Sequence, residues 1–148
     1  MVALLQPSSR GELMIASGDP RANPIIEFGM LSDERDRRRL RAAVRHAGQI
    51  LGHPAFARIG YVHLAPTQLA DWELNTWLTN SCEAFAHAAG TCCMGDSLDS
   101  RTVVDQSCRV VGVQGLRVAD ASAMPSLPRA APHLTVVMIA EHLVKGLP

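Results

Sequence analysis

Aromatic residues are scarce in this 148-residue chain: three phenylalanines, two tryptophans and one tyrosine. A base-stacking platform for single-stranded nucleic acid is therefore not expected. An excess of either charge is also missing. There are 14 basic and 14 acidic residues, for a net charge of zero, so nothing in the charge balance points to nucleic acid or an anionic membrane surface. No apolar run approaches the length of a membrane span. Near the N-terminus only Val2 to Leu5 is apolar, without the basic and long apolar regions of a secretory signal. The four cysteines, at 82, 92, 93 and 108, form no C-x-x-C pair, and a chain of this size does not need a disulfide scaffold. They read as free thiols in a reducing, cytoplasmic compartment.

What is present suits an ordinary globular core: 47% of the residues are hydrophobic. The opening, Leu4 to Gly11, reads as the interior of a longer chain. Glu12–Ala16 and Ile25–Met30 are two candidate strands, joined by the turn-rich Ser17–Pro24. Ser32 is placed as the N-cap of a helix running to Leu51 and stopped by Gly52, with Asp33 and Glu34 in its first turn. Leu40, Val44, Ala47 and Leu51 make its apolar stripe. Its six arginines, at 35, 37, 38, 39, 41 and 45, could form an anion-binding face. A solvated face balanced by Asp33, Glu34 and Asp36 is the preferred reading, because the overall charge is balanced. Residues 52–66 read as a loop. A second helix is predicted over Gln68 to Asn80, with Leu74, Leu78 and Cys82 as its stripe and Trp72 beside it. Both tryptophans are assigned to packing.

Beyond Glu83 the pattern changes. Ala84 to Met94 is small and apolar, fit for a buried strand or a loop near a cofactor. Gly95 to Arg101 is a polar connector. Arg109 to Ala119 reads as two short strands around a Val113-Gln114-Gly115 turn. Asp105 suits capping or a turn better than catalysis. The stretch that organises the chain is Leu116 to Glu141: a short strand, small polar residues from Asp120 to Ala123, and a loop carrying Pro125, Pro128 and Pro132 that cannot be regular helix. An apolar helix then opens at His133 and runs toward Leu147. A histidine at a helix entry sits beside free N–H groups and the positive dipole end, a place that favours a negatively charged partner.

Three blocks of this sequence resemble the glucose-methanol-choline (GMC) flavin oxidoreductases, in family order and with family-like spacing. His87 to Gly95, HAAGTCCMG, is similar to that family's H-x-x-G-T-C-x-M-G segment. Val103-Val104-Asp105 and Arg109 to Val118 resemble its VVD…RVxGVxGLRV run, and VADASAMPSLP followed by HLTVVMIAE resembles its C-terminal signature. The opening resembles the family's S-R-G…L-x-S-x-D-P…P-x-I segment, so the likeness runs from about Leu5 to Lys145. It implies an α+β fold: residues 1–98 finishing an antiparallel-sheet substrate-binding domain with covering helices, and residues 99–148 returning to the FAD-binding domain as its last strand and helix.

The chemistry implied is oxidation of an alcohol, with FAD as cofactor. Such a reaction needs a base for the hydroxyl proton, an acceptor for the hydride, and a group to hold the acceptor's new negative charge. Histidine suits the first task. No side chain accepts a hydride, so a cofactor must. A second histidine at a helix start can help with the third. The resemblance implies that His87 is the base and that His133, 46 positions later, hydrogen-bonds the substrate oxygen and shares the proton work. Asp120 and Ala121 match the family's flavin-contacting pair, and Leu134 and Thr135 would present backbone to the flavin beside His133. His46, His53, His63 and His142 lack comparable context and read as structural. A metal site from His87, Cys92, Cys93 and His133 is disfavoured, because adjacent cysteines fit tetrahedral zinc poorly.

The departures from the family pattern matter. Ala86 stands where an aromatic often precedes the base, with Phe85 one step further back, implying a wider or reshaped substrate pocket. Ala131 and Pro132 replace an amide side chain and a backbone donor, so the resemblance carries no contacts over to them. The dinucleotide fingerprint G-x-G-x-x-G is absent from these residues. The chain thus reads as the C-terminal portion of an enzyme: a fragment, a split-gene subunit or a decayed frame. Its partners would be a small-molecule alcohol and an N-terminal FAD-binding half. Without that half, apolar surface at Leu116–Ala119 and along Thr135–Leu143 would drive self-association. The other functional readings are a non-catalytic interaction module and a lyase of the same fold that holds FAD structurally.

Overall fold

Helices carry most of the regular structure. The computed structural model describes residues 1–59 and 66–146, so His63 and Leu147 lie outside the described residues. In order they form β1 (Glu12–Met14), β2 (Ile25–Glu27), α1 (Glu34–Leu51), α2 (Pro54–Ala57), α3 (Asp71–Ser81) and α4 (His133–Lys145), with a 3-10 turn at Ala121–Ala123 before α4. β1 and β2 pair as a two-stranded sheet, each shorter than the sequence suggests. The fold is α+β, as expected. The chain makes two compact units, one of residues 1–12 and 25–83, the other of residues 13–24 and 84–148.

In the first unit α1 packs on α3 through Leu40 and Val44 against Leu74 and Leu78, with Leu31 completing the buried cluster. Both predicted stripes are therefore the buried faces. The cap differs from expectation. Asp33, not Ser32, is the N-cap: its Oδ1 accepts from the amide of Arg35 at 2.8 Å. The Asp33 amide in turn donates to Ser9 Oγ at 3.1 Å, tying the cap to a distant part of the chain. The Arg35 guanidinium and amide hold the Asp33 carboxyl at a pKa of about 2. Trp72 is exposed, contrary to its assignment to packing, while Trp77 packs against the core. The spacing explains it. Trp72 lies two residues from Leu74, which on a helix is a different face, whereas Trp77 lies three away.

The arginines of α1 are largely occupied within the unit. Arg39 donates to the carbonyls of Gln6 and Leu5 at 3.0 and 3.1 Å. Buried Arg41 donates to Asn75 Oδ1 at 2.6 Å and to Glu34 Oε1 at 3.2 Å, and pairs with Asp71 at 3.3 Å. Arg45 pairs with Asp71 at 2.7 Å. The balanced reading of this helix holds, but Asp36 and Arg41 are buried rather than solvated. Asp36 accepts from the amides of Ser8, at 2.8 Å, and Ser9, at 2.6 Å. Within the expected loop 52–66, Pro54 opens α2 and His53 caps it, its Nδ1 accepting from the Ala55 amide at 3.2 Å.

The second unit is held by backbone pairing of short extended pieces. Isolated bridges link Met94 with Val104, Val104 with Val110, and Arg109 with Arg117. The predicted pair of strands in 109–119 is thus antiparallel, but only bridge-long. Gly112 and Gly115, at φ +80° and +74°, let the chain reverse between them. Asp105 accepts from the amides of Ser107 and Arg109 at 2.8 and 2.9 Å, a turn role as expected. Val104, Cys108, Ala123 and Met124 are buried. No residue of α4 is buried, and Leu134, Val137, Met138 and Val144 are exposed. No helix among the described residues is long and apolar enough to cross a membrane.

Candidate active site

The predicted site residues all fall in the second unit. His87 lies on the extended piece that precedes the Met94 bridge and is half-buried. Three hydrogen bonds place that piece against the turn after Asp120. The amides of Gly90, Cys92 and Met94 donate to the carbonyls of Ala121, Ser122 and Ala123 at 3.1, 2.9 and 3.0 Å. Alternate residues on one piece meet successive residues on the other because Ala121–Ala123 is a tight 3-10 turn rather than a strand. The small side chains of this stretch allow the approach. Gly90 takes φ +83°, and a Cβ there would sit 3.3 Å from the Met124 carbonyl.

Asp120 shapes the turn. As its N-cap it accepts from the Ser122 amide at 2.8 Å and from the Ser122 hydroxyl. Its side chain is exposed, and Ala121 is half-buried. The turn was not anticipated as a 3-10 helix, although Asp-x-Ser, with a side chain able to bond the backbone two residues on, carries its signal.

His133 is the first residue of α4, as predicted, and is exposed. Pro132 is the N-cap and offers no capping side chain, and the first turn holds no acidic residue. The helix therefore presents uncapped N–H groups and its positive end with no carboxylate from its own first turn to neutralise them. Buried Pro132 contributes only its carbonyl, which accepts from the Val136 amide at 3.0 Å. Leu134 is exposed and Thr135 half-buried. Among the described residues no hydrogen bond joins His87 to His133; what the backbone joins is the His87 piece and the Asp120–Ala121 turn.

The immediate surroundings of His87 include a feature that sequence reasoning missed. The Phe85 ring meets the imidazole edge-on, with centroids 5.0 Å apart and planes at 80°. His87 Nδ1 lies 3.0 Å from the Ala86 carbonyl, and Ala86 itself has φ +55°, unusual for a residue with a Cβ. No spacing rule carries this signal, because a left-handed alanine has no local sequence mark. Acids nearby in sequence are spent on turns: Asp96 caps the Leu98 amide at 3.0 Å, and Arg101 holds the Asp99 carboxyl at a pKa of about 2.

The arrangement offers a half-buried imidazole just before a hydrogen-bonded piece, an acid-capped turn of small residues, and an uncapped helix start headed by a second imidazole. Known proteins resemble the chain that carries it. The oxygen-dependent choline dehydrogenase of Vibrio vulnificus is 35% identical over 138 residues, 92% of this chain and 25% of that protein. The crystal structure of pyridoxine 4-oxidase from Mesorbium loti superposes with a TM-score of 0.86 at 31% identity, covering 95% of this chain and 28% of the other. A fungal aryl-alcohol oxidase gives a TM-score of 0.81 at 30% identity, covering 96% and 24%. The chain spans about a quarter of the length of these proteins. Residues 7–140 match the family model described as GMC oxidoreductase, and the chain accordingly belongs to the GMC oxidoreductase family.

Proposed function

We propose that this chain supplies the C-terminal part of an FAD-dependent oxidoreductase that oxidises a primary or secondary alcohol. Family membership supports a flavoprotein, and the names of an aryl-alcohol oxidase and a choline dehydrogenase among its relatives support an alcohol as substrate. The observation that carries the reading is the triple hydrogen-bond pairing between Gly90–Met94 and Ala121–Ala123. It brings the backbone following His87 into register with the turn that bears Asp120 and Ala121.

The residues present fit one part of a flavin. The uncapped start of α4, with no acid in its first turn, suits a group that gains negative charge. Asp120, Ala121, His133, Leu134 and Thr135 would hold it there. The pyrophosphate has no fingerprint loop among these residues, so its binding falls to an N-terminal FAD-binding half. Bound FAD supplies the hydride acceptor that side chains lack. His87 takes the hydroxyl proton on its free ring nitrogen, and His133 donates to the substrate oxygen and shares the proton work. In this reading residues 1–98 finish the substrate-binding domain and residues 99–148 the FAD-binding domain. Without its partner the exposed apolar side chains of α4 would favour self-association.

The visible absorbance spectrum tests this. A flavin band is expected when the chain is co-expressed with a G-x-G-x-x-G-bearing half, bleached anaerobically by choline or benzyl alcohol, and no longer bleached after His87→Ala. A folded pair without flavin would leave an interaction module. Flavin that stays oxidised while a cyanohydrin is cleaved would leave a lyase.

A further inference from the structure

The left-handed Ala86 is the one backbone irregularity adjoining His87, and it has a consequence for the ring beside it. A residue with a Cβ at φ +55° is held there by its surroundings. The chain bends at Ala86. On either side of the bend Phe85 and His87 meet edge to face, at 5.0 Å and 80°, the arrangement favoured by aromatic quadrupoles. The Ala86 carbonyl stands 3.0 Å from His87 Nδ1. A carbonyl oxygen only accepts, so this contact requires the proton on Nδ1. The lone pair of the neutral ring is then on Nε2. Phe85 is itself half exposed, so filling the core does not account for its position.

We propose that Phe85 is a positioning residue for His87: its ring, brought alongside by the left-handed Ala86, fixes the imidazole in the Nδ1–H tautomer with Nε2 as the proton-accepting nitrogen. The inference deepens the reading of His87 as the base and rests on it for its catalytic meaning. When Nε2 takes the hydroxyl proton the ring becomes cationic, and the Nδ1–H bond to the Ala86 carbonyl becomes charge-assisted. The bond thus stabilises the protonated state at the moment it forms. An aromatic two residues before the histidine would thus do the work of orientation.

The test reads the tautomer directly. Long-range proton–nitrogen correlation spectra of the 15N-labelled chain distinguish protonated from unprotonated ring nitrogens, and His87→Gln assigns the signals. His53 is an internal reference of the opposite kind, because its Nδ1 accepts from the Ala55 amide and must be unprotonated. Neutral His87 is expected in the Nδ1–H form. Phe85→Leu should shift it severalfold toward the Nε2–H form that free imidazoles prefer, and Phe85→Tyr should restore the wild-type ratio. The Leu variant should fold, since half the Phe85 surface is already solvent-exposed, and unchanged signals from His142, in the same unit, would verify it. Wild-type His87 in the Nε2–H form, or a ratio indifferent to Phe85→Leu, overturns the proposal. In the flavin-loaded assembly, Phe85→Leu should lower kcat about tenfold or more with little change in KM or flavin content. An equal loss in Phe85→Tyr would count against positioning by the ring. Failure of the wild-type assembly to oxidise any alcohol would instead remove the base reading and leave the tautomer result standing.

Discussion

The Cys92 amide donates to the Ser122 carbonyl across 2.9 Å. Thirty positions separate the two residues, and neither lies in a named strand or α-helix. With the flanking Gly90–Ala121 and Met94–Ala123 bonds, this pairing satisfies backbone groups that short extended pieces would otherwise leave open. It also makes the position of the His87 piece depend on the turn capped by Asp120.

The adjoining Met94–Val104 bridge should be sensitive to bulk. A Cβ at Gly95 would fall well inside contact distance of Thr102 Oγ1 and 3.5 Å from its Cβ. Gly95→Ala is expected to destabilise the second unit by about 1–3 kcal/mol through overpacking. Thr102→Ala removes the clashing hydroxyl, so the double variant should recover most of that loss. Denaturant melts of the two singles and the double give the coupling; purely additive losses would mean that the residues do not meet.

Asp36 should make the first unit sensitive to acid. Burial pushes its carboxyl pKa up, but the amides of Ser8 and Ser9, the Ser9 hydroxyl and Arg39 outweigh burial and hold it below the ordinary value. A carboxyl depressed on folding contributes stability that is present above its unfolded pKa of about 3.9 and lost as pH falls through its folded value. Asp36→Asn should therefore cost about 2 kcal/mol at neutral pH. Its deficit relative to the wild type should shrink as pH drops below about 4. Thermal melts across that range would show it; a deficit independent of pH would mean the loss is one of shape rather than charge.

The cysteines should differ in reactivity. Cys108 is buried, and burial, reinforced by the Asp105 carboxylate, pushes its thiol pKa up. Alkylation proceeds through the thiolate. Brief iodoacetamide treatment of the native chain at about pH 8, near the ordinary thiol pKa, should mark the half-buried Cys82, Cys92 and Cys93 before Cys108. Peptide mass spectrometry before and after denaturation would resolve the order, and early labelling of Cys108 would contradict its burial.

The two candidate histidines should separate in kinetics. In the flavin-loaded assembly His87→Ala is expected to lower kcat about 10²–10⁴-fold, the range for loss of a positioned base. His133→Ala should also slow the reaction, with flavin content falling if the start of α4 contributes to binding. His142→Ala, at the far end of α4, should change neither. Stopped-flow flavin reduction measures all three, and an active His87→Ala variant would move the base elsewhere.

The sequence by itself determined whatever depends on local pattern or on motif. The stripes of α1 and α3, the start of α4 at His133 and the turn role of Asp105 follow from periodicity, from the positions of proline and from short-range side-chain bonding. The three motif blocks were sufficient to identify the family. Only the tertiary structure decided what depends on partners distant in the chain. Ser9 Oγ accepts from the amide of the cap residue Asp33, and Ser8 and Ser9 take Asp36 out of solvent. The 109–119 strands shrink to bridges because pairing that spans one residue leaves no alternation to read. The left-handed Ala86 lies beyond sequence reading for a related reason. Glycine announces such a conformation, but an alanine is placed there only by the packing and hydrogen bonds around it.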